Sequence, residues 1–141
     1  AAYDSPGHWN NTQPTSAVFT VGNNGEVNDN NKSYIAYLFA SCPGVSKVGS
    51  YSGTGATQTI SCGFAARFVM IKRTDTAGYG WVVWDTARGM VSGTDPRLAL
   101  NSTSAETNAN WVYTDASGFQ IVATDATVNA SGGTYIYLAI A

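Results

Sequence analysis

The sequence predicts an all-β protein, an antiparallel β-sandwich of jelly-roll-like type with about nine or ten short strands. Three observations lead to this prediction. Only 11 % of the residues are charged, and the polar residues are mainly Asn, Thr, Ser and Gly, which favour turns and strand surfaces. Aromatic residues, which favour strands, make up 12 % of the chain. Short apolar or alternating runs recur between turn signals along its length.

The first forty residues are predicted to form an arm followed by a hairpin. Residues 1–15 are rich in Pro, Asn and Gly and are expected to be extended. The runs SAVFTVG (16–22) and YIAYLFA (34–40) are predicted strands, separated by a polar turn region. Neither face of the second run is polar, so this strand is expected to be covered on both sides.

The remaining sequence predicts further strands and one helical turn. The stretch RFVMIKRTDTAGYGWVVWD is typical of a hairpin, and WVYTD, FQIVATD and TYIYLAI supply the last strands. A short helical turn is predicted near residues 103–107, where Thr103 and Glu106 have the spacing of a capping box.

Two segments of the chain resemble each other at an offset of 101 residues. Seven of the 25 residues from 16 to 40 are identical to their counterparts, without a gap. The identical residues are Ser16, Val21, Val27, Asn28, Tyr34, Ile35 and Ala40, which correspond to Ser117, Val122, Val128, Asn129, Tyr135, Ile136 and Ala141. An isolated hairpin is barely stable in water, so the first copy is expected to pack on the rest of the chain or on a neighbouring subunit. We therefore predict an N-terminal arm with a partial repeat (1–46) and a main sandwich repeat (47–141), packed as one domain.

Charge and hydropathy argue against two classes of function, nucleic-acid binding and membrane insertion. The net charge of −2, from 7 basic and 9 acidic residues, does not favour nucleic-acid binding through phosphate neutralisation. No apolar run approaches the roughly 20 residues of a membrane-spanning helix, so no membrane insertion is expected.

The cysteines and acidic residues are expected to be structural. Cys42 and Cys62 are interpreted as two free thiols, with a single disulfide as the alternative. No cofactor or metal site is predicted, because the only histidine, His8, is distant in sequence. Most aspartates occur at turns, where the side chain caps the backbone, so we do not expect an enzyme. Arg88 and Arg97 are expected to pair with Asp85 or Asp95.

A series of motifs also points to a family. In order, these are YIAYLFA, GVSKVGSYSGTG, CGFAARFVMIKRTD, WVVWDTARG, LALNSTSAE and NASGGTYIYLAIA. Over about residues 9–141, the sequence resembles a repeat domain of tail-fibre-like and other virion structural proteins of tailed bacteriophages, especially marine and cyanobacterial phages. The resemblance implies a β-rich extracellular virion module without known catalysis, assembled with itself and other virion proteins. A homo-oligomer, either a trimer or a filament formed by strand pairing, is expected.

Aromatic residues supply the candidate functional positions. Flat apolar rings suit pyranose rings, so a carbohydrate-binding module for a host surface glycan is the alternative function. The candidate residues for glycan or interface contact are Trp81, Trp84, Trp111, Tyr79 and Tyr51. The candidate residues for assembly are Val18, Phe19, Tyr34, Tyr37 and Phe39. Alternation places Trp81 and Trp84 on opposite faces of one strand, so at most one of them is expected to face a ligand. Hydrolysis of host polysaccharide is a third, less favoured hypothesis.

Overall fold

The computed structural model describes residues 5–141, which divide into two compact units, one ending at Leu38 and the other spanning Phe39–Ala141. The part of the predicted extended arm that falls on residues 1–4 lies outside the described residues. The first unit contains the helices α1 (Pro6–Trp9) and α2 (Gly25–Asn28). The second contains nine strands: β1 (Ser46–Ser52), β2 (Gln58–Ser61), β3 (Phe68–Arg73), β4 (Val82–Asp85), β5 (Asp95–Ala99), β6 (Thr107–Ala109), β7 (Val112–Asp115), β8 (Gly118–Ile121) and β9 (Thr134–Ile140).

The nine strands form two antiparallel sheets, which confirms the predicted all-β sandwich. The larger sheet has the strand order β1-β9-β3-β4-β5-β6, and the smaller has the order β2-β8-β7. The last strand, β9, lies between β1 and β3, whereas β3 to β6 follow one another as a meander. Strand β9 is therefore central and pairs along its length on both sides.

Aromatic rings fill the core between the two sheets. Tyr51 of β1 stacks on Tyr135 of β9 with ring centroids 4.9 Å apart. Phe119 of β8 meets Tyr137 of β9 edge to face at 5.3 Å, which joins the small sheet to the large one. Trp84 of β4 is fully buried in the same cluster. Ring pairs of this kind stabilise a core by about 1 kcal/mol beyond their burial.

The predicted helical turn at 103–107 is wrong. Glu106 does not close a capping box, because its carboxylate accepts a hydrogen bond from Arg88 at 2.9 Å. Ser102 and Ser104 hydrogen-bond to each other through their hydroxyl groups. The next residues, Thr107–Ala109, form β6 and pair with β5. Pairing with an existing sheet edge outweighs a weak local capping signal here.

The predicted strands at 16–22 and 34–40 are also wrong, because neither segment is paired in a sheet. The predicted extended arm is interrupted by α1, where Pro6 occupies the first turn of the helix. The predicted polar turn contains α2, capped by the Asn24 side chain, which accepts a hydrogen bond from Glu26 N–H.

The repeat itself is present in the structure, in the segment between the predicted strands. We call residues 22–34 the first tyrosine turn and residues 123–135 the second. In each turn, the backbone carbonyl of one Asn or Asp residue accepts hydrogen bonds from the N–H groups three and four residues later. The side chain of the same residue accepts a hydrogen bond from the N–H two residues later. The first copy has Asn24 in this position, and the second has Asp125.

The remaining bonds of the tyrosine turns also correspond at the offset of 101. The Asn28 side chain donates to the carbonyl of residue 22, as Asn129 does to residue 123. The hydroxyl of Tyr34 or Tyr135 donates to one backbone carbonyl and accepts from one N–H of its own turn. A bond between backbone groups closes each turn, from residue 32 to 29 and from 133 to 130. Seven hydrogen bonds thus recur at equivalent atoms, so the two sequences encode the same local structure.

The second tyrosine turn is anchored to β1, β2 and the loop between them by a buried amide. The Asn129 side chain accepts hydrogen bonds from Thr54 N–H at 2.9 Å and from Gln58 Nε2 at 2.7 Å. It donates to the carbonyls of Ala56 and Ala123, both at 2.8 Å. All four bonding positions of a primary amide are thus used, at a side chain with no exposed surface.

Replacing this amide tests its contribution to stability. We expect Asn129→Ala to lower the free energy of unfolding of the second unit by about 3 kcal/mol, because buried donors and acceptors lose their partners. Urea denaturation followed by far-UV circular dichroism measures this change. The matched control is Asn28→Ala, the equivalent position in the first unit, where the side chain is exposed and makes one of these bonds. Equal stability of the Asn129→Ala protein and the parent would contradict the assignment.

Candidate functional site

The five aromatic residues predicted to contact a ligand do not share one surface. Trp84 is fully buried and Tyr51 is 9 % exposed, so both belong to the core. The Tyr51 hydroxyl donates to the Val128 carbonyl at 2.7 Å, inside the sandwich. Burial raises the pKa of Tyr51, as it does that of Tyr137, which is about 12. Neither Trp84 nor Tyr51 is accessible to a ligand.

Two further candidates are covered by arginines. The Arg73 guanidinium lies 4.9 Å from the ring centroid of Tyr79, and that of Arg97 lies 3.6 Å from the ring centroid of Trp111. These are cation–π contacts, which cover one face of each ring. Among residues 5–141, Arg97 stacks on Trp111 and makes no ion pair with a carboxylate, so its expected pairing with Asp85 or Asp95 is wrong.

Arg73 and Arg88 are held by acidic residues. Arg73 makes a bidentate ion pair with Asp75, which lowers the pKa of the Asp75 carboxyl group. Arg88 bonds Asp85, as expected from the sequence, and also Glu106. Burial opposes ionisation of Asp85, but the bonds from Arg88 outweigh it and lower the pKa of Asp85.

The other aspartates are engaged by the backbone. Asp115 and Asp125 each accept the N–H two residues later, as predicted for capping aspartates. Asp95 is fully buried and accepts from Trp111 N–H at 2.9 Å and Val112 N–H at 2.7 Å. Burial raises the pKa of Asp95, although the two N–H donors favour its ionised form. These carboxylates therefore have structural partners.

The second unit carries an apolar groove on the outer face of the larger sheet, which we call the outer groove. Its volume is about 330 Å³. The fifth candidate for ligand contact, Trp81, and the assembly candidate Phe39 both line it. Its other lining residues are Val48, Gly49, Met70, Ile136, Tyr137 and Leu138. No single motif reveals this groove, because it depends on three neighbouring strands presenting their outer faces together.

The other assembly candidates lie in the first unit and are exposed. Val18 is 62 % exposed and Tyr37 is 79 % exposed, and Phe19 and Tyr34 are also accessible. Phe19, Tyr34 and Tyr37 line a second apolar groove of about 470 Å³, formed within the first unit. Large apolar side chains at such exposure are typical of surfaces that contact a partner.

The described residues contain neither a metal-binding cluster nor a membrane-spanning helix. Within residues 5–141, no three His, Cys, Asp or Glu side chains are grouped closely enough to hold a metal ion. Among the same residues, no helix has the length and apolar character needed to cross a membrane.

The fold and surfaces define an all-β sandwich domain preceded by a small unit with a partial copy of its last segment. The chain belongs to the family described as "Domain of unknown function (DUF7483)", whose model matches residues 1–141. No curated protein and no solved structure matches the chain significantly.

The two cysteines, which are free thiols, differ in their surroundings. Cys42 is exposed, whereas burial raises the pKa of the partly buried Cys62 thiol. Since the thiolate is the reacting form, we expect Cys42 to react with Ellman's reagent at pH 8 at least about tenfold faster than Cys62. The Cys42→Ser variant should keep only the slow phase, and the Cys62→Ser variant only the fast one. Equal rates for the two variants would argue against this difference in surroundings.

Proposed function

We propose that this protein is a non-enzymatic structural module of a phage virion, in a tail fibre or at the particle surface, which self-assembles and contributes to host attachment. The resemblance of its motifs to virion repeat domains supports the virion role. The single structural observation that supports self-assembly is the outer groove, an apolar surface on a chain with few charges. Interfaces between subunits have such apolar cores with few charged residues.

The geometry of the outer groove is suited to contact with the surface of another protein subunit. It lies on three adjacent strands, β1, β9 and β3, whose backbones are held by continuous pairing. Val48 and Ile136 are each 37 % exposed on this face. Rigid, partly exposed apolar side chains of this kind can pack against a partner without a large loss of conformational freedom.

The acidic residues support a structural role over hydrolysis. A glycosidase uses two carboxyl groups that face the scissile bond. Here Asp85 and Glu106 share Arg88, Asp75 pairs with Arg73, and Asp95 is buried against backbone N–H groups. Each of these carboxylates holds a strand or a loop in place.

The predicted glycan-contact residues give the carbohydrate-binding alternative less support. They are divided between the core, the outer groove and two positions stacked under arginines. A pyranose platform would need exposed rings next to hydrogen-bonding groups, and the lining of the outer groove is mainly apolar.

A charge placed in the outer groove tests self-assembly. We expect the parent protein to be a homo-oligomer and Ile136→Glu to weaken its association at least about 100-fold, because burying an unpaired carboxylate costs several kcal/mol. Size-exclusion chromatography with multi-angle light scattering, over a range of concentrations, measures the mass. The control is Ser61→Glu, which adds the same charge at an exposed position of the smaller sheet. A parent that stays monomeric, or an Ile136→Glu protein that associates like the parent, contradicts the proposal.

A further inference from the structure

The second tyrosine turn is contacted by neighbouring segments of its own unit, and these contacts can be compared with those of the first turn. In the second turn, β1, β2 and the loop between them supply an N–H to Asn129 Oδ1, a glutamine amide to the same oxygen and a tyrosine hydroxyl to the Val128 carbonyl. The ring of Tyr51 covers that of Tyr135. The second turn is thus recognised through its amide oxygen, its carbonyl and its tyrosine ring.

The same groups are open in the first turn. Among residues 5–141, nothing donates a hydrogen bond to Asn28 Oδ1, and the side chain is exposed. Tyr34 is 45 % exposed, whereas its counterpart Tyr135 is completely buried. The local geometry is nevertheless the same, since all seven bonds of the turn are made. Within residues 5–141, the first turn is therefore a preformed recognition surface without a partner.

The residues after the turn show the same contrast. Tyr37 is 79 % exposed and Leu38 is 74 % exposed, while their counterparts in β9, Leu138 and Ala139, are 3 % and 0 % exposed. Strand β9 is covered because β1 and β3 pair with it on both sides. A run that is apolar on both faces, like residues 34–38, suits the same central position in a sheet.

The residues before the turn show the same difference in exposure between the two copies. Val18, at the position equivalent to Phe119 of β8, is 62 % exposed, whereas Phe119 is fully buried between the sheets. The first unit thus carries counterparts of β8, the tyrosine turn and β9, with the apolar side chains that a sandwich would bury.

We propose that residues 16–38 are the closing segment of a second sandwich of this kind, and that its partner is a polypeptide of the same family providing the equivalent of residues 45–115. This inference rests on the proposed structural function and names the partner in the assembly. This partner supplies two strand edges that pair with residues 34–38 on both sides. It also supplies an N–H donor for Asn28 and a tyrosine ring that stacks on Tyr34.

A second copy of this chain in its present form is a weaker candidate for that partner. Its strands β1 and β3 are already paired with its own β9, through seven and six residue pairs respectively. An incoming segment would have to displace all of them. The partner must instead have the positions of its last two strands open.

The proposal is tested by supplying those strands covalently. The full chain is extended at its N-terminus by a second copy of residues 45–115, which the tether holds at about millimolar effective concentration. We expect hydrogen exchange at the amides of residues 34–38 to slow at least about 100-fold relative to the parent, because the segment becomes a paired central strand. Mass spectrometry after peptic digestion measures the exchange.

The matched control is the same extended chain carrying Asn28→Ala. We expect this substitution to lose most of the added protection in the extended chain. Exchange within residues 116–140, a range that occurs only once in the extended chain, should stay unchanged. Fast exchange at residues 34–38 in the extended chain, or protection that survives Asn28→Ala unchanged, overturns the proposal.

Protection of residues 34–38 in the unextended protein at high concentration also overturns it, and identifies a second copy as the occupant. The light-scattering experiment on Ile136 concerns the outer groove of the second unit. Failure of self-assembly through that groove and failure of this inference are therefore seen in different measurements.

Discussion

The second unit depends on one buried amide, that of Asn129. Its four hydrogen bonds hold the ends of three segments, because β1 leads into the loop at Thr54, β2 begins at Gln58, and the turn between β8 and β9 contains Ala123. A primary amide is the side chain with two donors and two acceptor positions, which matches the four bonds made here. An apolar residue at this position would leave backbone groups without partners, and a carboxylate could not donate to the two carbonyls.

The aromatic core follows from the position of this amide. With the second tyrosine turn fixed, Tyr135 stacks on Tyr51 and both hydroxyls bond backbone groups of the turn. The rings thus bury their apolar area while their polar ends remain paired. Burial raises the pKa of both tyrosines, so they stay neutral over the range in which most proteins are stable. A chain with few charges can build a specific core in this way, because hydrogen bonds take the place of ion pairs.

The sequence was sufficient to predict the sandwich and much of its detail. Alternation and turn signals located β3, β4, β7, β8 and β9, but they did not predict β5 or β6. The role of Asp115 and Asp125 in capping followed from their position at turns. The outer groove could not be predicted, since it requires the sheet order β1-β9-β3. The helical turn failed at Glu106, whose carboxylate bonds a residue 18 positions away, a contact that no local pattern encodes.

The two copies of the repeat separate local from long-range causes of structure. The tyrosine turn forms in both copies because its bonds lie within 13 residues, between Asn24 and Tyr34 or between Asp125 and Tyr135 and their neighbours. The flanking runs become strands only in the second copy, although both are apolar and rich in β-forming residues. A strand is completed by hydrogen bonds to other segments. Its sequence therefore makes strand formation possible, and the neighbouring segments determine whether the strand forms. The apolar residues of the first copy then remain at the surface, which is where a partner with matching strand edges would stabilise them.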